Sequence, residues 1–233
     1  MGAIKIQNTN EFVKTLAFLS SVIEDLHISI TDNVLSTFND YNNIGLVLLH
    51  TEIDNDDINA IYSFTINTKL FVKALKMVQS KNNTITLEIN TDILVVSGTI
   101  DSVLWNTSVP IKSVPVFPEF KTPNDYETII EVKSAVFEQI IKKINKNTES
   151  IDLVVTKDTL TIATKSTTIE VPHTSDVEIT GTFTLPSLEL AKFANAKTIS
   201  KDITLYFGID MPLCMTVGHV SMYLSVIKYA PTH

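Results

Sequence analysis

The feature that most constrains this chain is a segment that occurs twice. "FVKTLAFLSSVIEDLHISITDNVL" (12–35) lies over "FEQIIKKINKNTESIDLVVTKDTL" (137–160) without a gap. Phe12 falls on Phe137, Leu16 on Ile141, Leu19 on Ile144, Thr31 on Thr156 and Leu35 on Leu160. A second match places "TITL" (84–87) over "DITL" (202–205), each preceded by a helical pattern that carries lysine. Alternating apolar sequence resembles itself by chance, but an ungapped match through a helix, a turn and a hairpin points to a duplicated supersecondary unit. The expected organisation is two similar domains, 1–113 and 127–233, with 114–126 as connector. The stretch "SVPVFPEFKTPNDY" (113–126) has three prolines, which fix φ and cannot donate to a ladder, so it reads as extended.

Helical periodicity appears over 10–25, 67–81, 133–147 and 186–201. The first puts Phe12, Leu16, Leu19 and Ile23 on one face, and the third turns Phe137, Ile140, Ile141 and Ile144 inward. Pro186 is acceptable in a first helical turn. Between the helices lie short alternating runs, "HISITDNVLSTFND", "IGLVLLHTEI", "AIYSFTI", "TITLEINTDILVVSG" and "SVLWNTSVPI", separated by polar turns such as Asp32-Asn33 and Asn82-Asn83. These read as antiparallel strands. The fold class is therefore α+β, with antiparallel sheets and two helices in each domain.

Charge is sorted by element type. The chain has 18 lysines, no arginine and 26 acidic residues, for a formal charge of -8. The segment "NTKLFVKALKMVQSK" (67–81) nevertheless carries four lysines and no acid. Together the four helical segments hold twelve lysines against five acids, Glu11, Glu24, Asp25, Glu138 and Glu189. On a helix, Lys69 and Lys76 lie about 40° and 60° to one side of Lys73, opposite Phe71, Leu75 and Val78. Lys142, Lys143, Lys146 and Gln139 oppose the apolar face of the third helix; the fourth offers Lys192 and Lys197, and the first only Lys14. A solvated helix face usually mixes signs in i,i+4 pairs. One reading is lysine for solubility on four ordinary exposed helices. The other is a positive face, made by helices lying side by side, that admits a polyanion by a confined route. Lysine neutralises phosphate but lacks the bidentate fork that reads guanine, and the helices show no aromatic platform for single strands. Contacts of this kind are salt-dependent and blind to sequence.

Composition excludes several classes. Hydrophobic residues at 44% and charged residues at 19% suit a globular chain of 233 residues with a sizeable core. No apolar run reaches the roughly 18 residues of a membrane span. The opening "MGAIKIQNTNEFVK" lacks an apolar signal core, and Ile6 stands where N-myristoylation wants Ser or Thr. The single Cys214 forms no internal disulfide and suggests a reducing, intracellular setting; it is expected to be inert. There is no phosphate loop, no H-E-x-x-H and no C-x-x-C, and no metal ligand set or cofactor is expected. "DNDDIN" (54–59) lacks the Gly and closing Glu of a calcium loop and reads as an acidic hairpin tip. His219 reads as structural, not as a catalytic base.

The stretch "IDMPLCMTVGHVSMYL" (209–224) resembles the end of proliferating cell nuclear antigen, the DNA sliding clamp. The matching residues are Asp210, Pro212, Leu213, Gly218, His219, Tyr223 and Leu224. The first helix with "ITDNVLSTFNDYNNIGLVLL" (30–49) is similar to the family's first helix, hairpin and central loop. The resemblance covers nearly the whole chain. The tail "SVIKYAPTH", the lysine-poor first helix and the somewhat shorter chain depart from the familiar cellular members. The resemblance implies a closed ring, a homotrimer, whose helices line a hole around double-stranded DNA. Such a ring is not an enzyme; it is a processivity factor placed by a clamp loader. It tethers DNA polymerase and other replication and repair proteins through short peptide motifs. Phosphate-facing positions would be Lys14, Lys69, Lys73, Lys76, Lys81, Lys142, Lys143, Lys146, Lys192 and Lys197. The partner pocket would be Ile44, Leu46, Pro212, Tyr223 and Leu224, walled by Val116 and Phe117. Subunits would join through the edges near 105–112 and 167–174. The resemblance places such a protein in a nucleus, or at a viral or phage replication site. The rival expectation is a monomeric or dimeric accessory factor of the same fold that holds DNA by charge alone and could also serve viral late transcription.

Overall fold

Every second side chain is buried along much of the chain, the signature of strands with one face on a core. The computed structural model describes residues 3–31, 33–41, 45–55, 61–81, 83–112, 122–144 and 148–231, with backbone alone at 38, 40, 41, 45–52 and 55. The chain divides into two compact units, Met1–Asn39 with Val47–Pro118, and Asp40–Leu46 with Glu119–His233.

The first half runs β1 (Ala3–Ile6), α1 (Thr9–Leu19), β2 (Asp25–Thr31), β3 (Val34–Tyr41), β4 (Gly45–Glu52), β5 (Asp54–Asn55), β6 (Tyr62–Asn67), α2 (Thr68–Val78), β7 (Ile85–Ile89), β8 (Ile93–Ile100) and β9 (Val103–Lys112). The second half runs β10 (Thr128–Lys133), α3 (Ser134–Lys143), β11 (Ser150–Val155), β12 (Thr159–Ala163), β13 (Thr168–Pro172), β14 (Gly181–Pro186), α4 (Ser187–Ala191), a 3-10 helix (Lys192–Thr198), β15 (Asp202–Phe207), β16 (Leu213–Val217), β17 (Val220–Leu224) and β18 (Lys228–Pro231).

The same strand order occurs in both halves. In the first it is β5-β1-β7-β8-β9-β6-β2-β3-β4. In the second, β10-β15-β16-β17 is one succession and β18-β14-β11-β12-β13 the other. The difference lies at one strand. β9 pairs with β8 along 103–110 and with β6 at 111–112. In the second half that task is divided: β17 pairs with β16, and β18 pairs with β14. The aligned starts also coincide, Thr9 with Ser134, Asp25 with Ser150, and Val34 with Thr159.

Each half closes its own core. Phe12 of α1 meets Phe71 of α2 edge to face at 6.4 Å. In the second half Phe183 of β14 lies 4.9 Å from both Phe207 and Tyr229. The phenylalanine rings among these, with Phe137 and Phe193, are almost wholly removed from water, which is the main source of favourable free energy here.

The bounds or form of all four expected helices are corrected. The first helix ends at Leu19, not 25, because the Ser20 and Ser21 hydroxyls donate to the Ala17 and Phe18 carbonyls at 2.7 Å and occupy the last turn's acceptors. Ile23 is still buried, but from the loop. The fourth helix is not a continuous α-helix over 186–201: α4 gives way to 3-10 helix at Lys192. Ser187, Leu190, Phe193 and Ala196 are all buried, and a spacing of three that keeps recurring stays on one face at three residues per turn but drifts around an α-helix. α2 and α3 also stop earlier than expected, at Val78 and Lys143. Strands β1, β10 and β18 are additions to the sequence expectation. No helix among the described residues is long and apolar enough to cross a membrane.

Candidate nucleic-acid interface

α2 carries three exposed lysines and no acid. β6 delivers the chain to Asn67, whose side chain accepts from the Leu70 amide at 3.1 Å and starts the helix. Phe71, Val72, Ala74, Leu75 and Val78 are buried, which leaves Lys69, Lys73 and Lys76 exposed. At the other end the Asn83 side-chain amide donates to the Val78 carbonyl at 2.6 Å. A Cβ on Gly98 of β8 would collide with that same carbonyl oxygen, so the helix end lies directly on the sheet. Lys81 follows, exposed in the turn. The lysine face also shows two large apolar side chains, Leu70 and Met77, about half exposed. They lie about 60° and 40° from Lys73 on the side away from Lys69 and Lys76. Lys14 is exposed on α1.

The helices of the second half are charged differently. Glu138 sits on the buried face of α3, yet its carboxylate binds two ammonium groups: that of Lys142, one turn on, and that of Lys197, 2.7 Å away on the 3-10 helix. Hydrogen bonds from Lys142 and then Lys197 hold the Glu138 carboxyl below its ordinary pKa, overriding the upward push of burial. Lys192 is half-buried and pairs with the buried Glu189 at 2.7 Å. Lys143 is exposed. Among the described residues no ion pair engages Lys14, Lys69, Lys73, Lys76, Lys81 or Lys143. Lys146 lies outside the described residues. Charge counting along the sequence registers Glu138 and Glu189 but not their inward placement.

The remaining expected positions divide as follows. Ile44, Val116 and Phe117, and the side chain of Leu46, lie outside the described residues, as does most of the acidic stretch 54–59. Leu224 is fully buried and pairs in register with Leu213. Tyr223 is nearly buried, next to Cys214 across the β16–β17 ladder. Pro212 is half-buried, and its carbonyl accepts from the Tyr126 hydroxyl at 3.0 Å. Register places Ile129, Tyr206, Cys214 and Tyr223 in one row across β10, β15, β16 and β17, and the Tyr126 ring lies 5.8 Å from that of Tyr206. Sequence reading missed Tyr126 and Tyr206: Tyr206 joins the row only through strand register, and Tyr126, in the stretch ahead of β10, reaches it only in the folded chain. Burial pushes the Cys214 thiol up to about 11 and the Tyr223 hydroxyl up to about 12. Both expected joining strands present an open edge among the described residues, β9 along part of its length. Along 103–110, β9 has a described partner on one side only, and there it exposes Val103, Leu104 and Trp105. β13 ends its five-stranded sheet.

Among the described residues no group of three His, Cys, Asp or Glu side chains could hold a metal ion. The doubled arrangement of helices and antiparallel sheets is the fold of proliferating cell nuclear antigens. The solved structure of Proliferating Cellular Nuclear Antigen from Entamoeba histolytica superposes with a TM-score of 0.85 at 18% identity, covering 100% of this chain and 99% of that one. No family model and no curated protein matches the sequence. Identity that low with full coverage shows a shared fold, and a fold by itself does not carry function.

Proposed function

We propose that this chain is a DNA polymerase processivity factor: a sliding clamp that closes as a head-to-tail homotrimer around duplex DNA and tethers replication and repair enzymes without performing chemistry. The carrying observation is the α2 face, where Lys69, Lys73 and Lys76 project with no acidic partner among the described residues, in a chain of net charge -8. The shared fold and the two open edges, β9 and β13, support the reading. A heterologous edge-to-edge contact gives a ring when its rotation closes and a filament when it does not. Lys14, Lys81 and Lys143 would add to the phosphate-facing set. Holding a polymerase on the same DNA raises its effective concentration there, which is how such a protein stimulates synthesis. A clamp loader would place the ring, and partners would dock near Pro212, Tyr223 and Leu224.

Two measurements together test the proposal. Mass in solution across a concentration series should reach that of three chains. Retention on nicked circular DNA should persist and vanish once the circle is cut, because a ring slides off an end. A monomer or dimer retained equally on circular and linear DNA would replace the ring with an accessory factor that binds by charge alone.

A further inference from the structure

The two copies of the repeat differ at one buried helical position in a way that bears on the DNA reading. In the ungapped alignment Glu138 lies over Val13, and Lys142 lies over Ala17. Val13 is a buried apolar residue of α1. Its counterpart on α3 is equally buried but ionised, and it draws in Lys142 and also Lys197 from the 3-10 helix. An apolar contact in one copy has become a three-residue ionic cluster in the other.

The exposure of the partners is unequal. The Glu138 side chain is 5% exposed, whereas those of Lys142 and Lys197 are 61% and 53% exposed. The lysines therefore reach inward from solvent to a carboxylate that cannot reach out. If one leaves for a DNA phosphate, the buried carboxylate gives up one of its two ammonium partners, and if both leave, it is a buried charge without compensation, which is strongly unfavourable. Phosphate must then compete with an internal anion that is always present. Lys143, adjacent to Lys142 on the same helix, has no such competitor among the described residues, nor do Lys69, Lys73 and Lys76 on α2.

We propose that Glu138 sets how tightly the protein holds duplex DNA: it keeps the Lys142 and Lys197 ammonium groups off phosphate and leaves the grip to α2 and Lys143. This rests on the DNA-binding reading above. Glu138 is a positioning residue in this scheme, since it touches the lysines and not the DNA. The consequence is an uneven hold, strong along the first copy's helix and weak along the second's, which favours exchange of phosphates over tight binding.

Lysine acylation read by mass spectrometry, with and without a short duplex, tests this on the wild-type chain. DNA should protect Lys69, Lys73, Lys76 and Lys143 and leave Lys142 and Lys197 at their DNA-free reactivity. In Glu138→Gln, both should become DNA-protected. Duplex affinity should then rise about tenfold for each lysine recruited at about 50 mM salt, with the salt slope steeper by about 0.9 each. Protection of Lys142 and Lys197 in the wild type overturns the inference and leaves the DNA-binding reading standing. So does a folded Glu138→Gln chain with wild-type affinity and slope. Protection of no lysine at all overturns both. The wild-type footprint decides the matter even if Glu138→Gln fails to fold.

Discussion

Replacing Lys69, Lys73 and Lys76 together by glutamine isolates the proposed grip of α2. The change removes charge and little else. All three side chains are exposed, the buried face and the Asn67 cap are untouched, and glutamine matches lysine closely in helix propensity. Each lysine that neutralises a phosphate contributes about 0.9 to the slope of log K against log salt. Three contacts in all, the number made when the α2 of one chain engages the duplex, give a slope change of about 2.7, so between 50 and 200 mM salt the wild type should lose at least about 40-fold more affinity than the variant. Fluorescence anisotropy of a labelled duplex, titrated at several salt concentrations, measures this directly. Lys157→Gln with Lys165→Gln is the comparison, because these two exposed lysines lie in the bends at the ends of β12 and belong to no helix. A change below about 0.9 in the α2 variant means that not even one of its lysines meets phosphate. An equal flattening in the comparison variant means that the effect is one of total charge. Either result refutes the assignment.

Other expectations concern the scaffold. Gly98→Ala drives a methyl group into the Val78 carbonyl oxygen, a backbone atom that cannot swing away, and should cost about 1–3 kcal/mol in urea unfolding. Wild-type stability in that substitution would show that α2 does not seat on β8. Cys214 is buried with its thiol pushed up to about 11, so alkylation at pH 8 should require denaturant; labelling of the folded chain would contradict that burial. His27 is buried between the Thr65 and Ser63 hydroxyls, at 3.3 and 3.2 Å, and burial lowers its pKa from the ordinary 6.5. The unfolded chain therefore takes up the proton first. His27's contribution is complete above about pH 6.5 and lost as pH falls through that value toward the lowered one. The melting temperature should decline over that window, and His27→Gln should flatten the decline; an unchanged profile removes His27 as its cause.

The parts of the fold legible in the sequence are those in which the core repeats itself. Phe12 and Phe137, Leu16 and Ile141, and Leu35 and Leu160 are all buried, so their alignment reflects a core built to the same plan separately in each half. Helix ends were not legible. Ile23 is as well buried from a loop as it would be from a helical turn, and apolar spacing does not separate the two. The 3-10 segment hid for a related reason: residues three apart share a face in either helix, and only their strict recurrence at 187, 190, 193 and 196 distinguishes the tighter form. Of the candidate site, the lysine stripe of α2 was readable because no acid pairs with it among the described residues. On α3, α4 and the 3-10 helix, charge counting does not show that Lys142, Lys192 and Lys197 meet inward acids. A signal existed: Glu138 aligns with an apolar Val13, which marks a carboxylate at a buried position. Tyr126 and Tyr206 carried no such mark, since the neighbours of Tyr206 follow from strand register and Tyr126 meets it from the stretch ahead of β10.

An acidic chain that holds DNA faces a kinetic difficulty with its own physical resolution. At a distance DNA meets the summed field of a protein with formal charge -8, and the two repel. Only within a Debye length, about 10 Å at 0.1 M salt, does a local stripe such as that of α2 outweigh the rest. Salt then acts in opposite directions on the two halves of binding. It eases the approach by screening repulsion and weakens the hold by competing for phosphate. Unaided capture from solution is slow for such a molecule, while release from a captured duplex is restrained mainly by topology if the ring closes. Under the proposed function this separation is useful: a loader supplies the approach, closure supplies retention, and the lysines need only be strong enough to centre the duplex. Strengthening them, as Glu138→Gln is expected to do, would gain affinity and lose mobility.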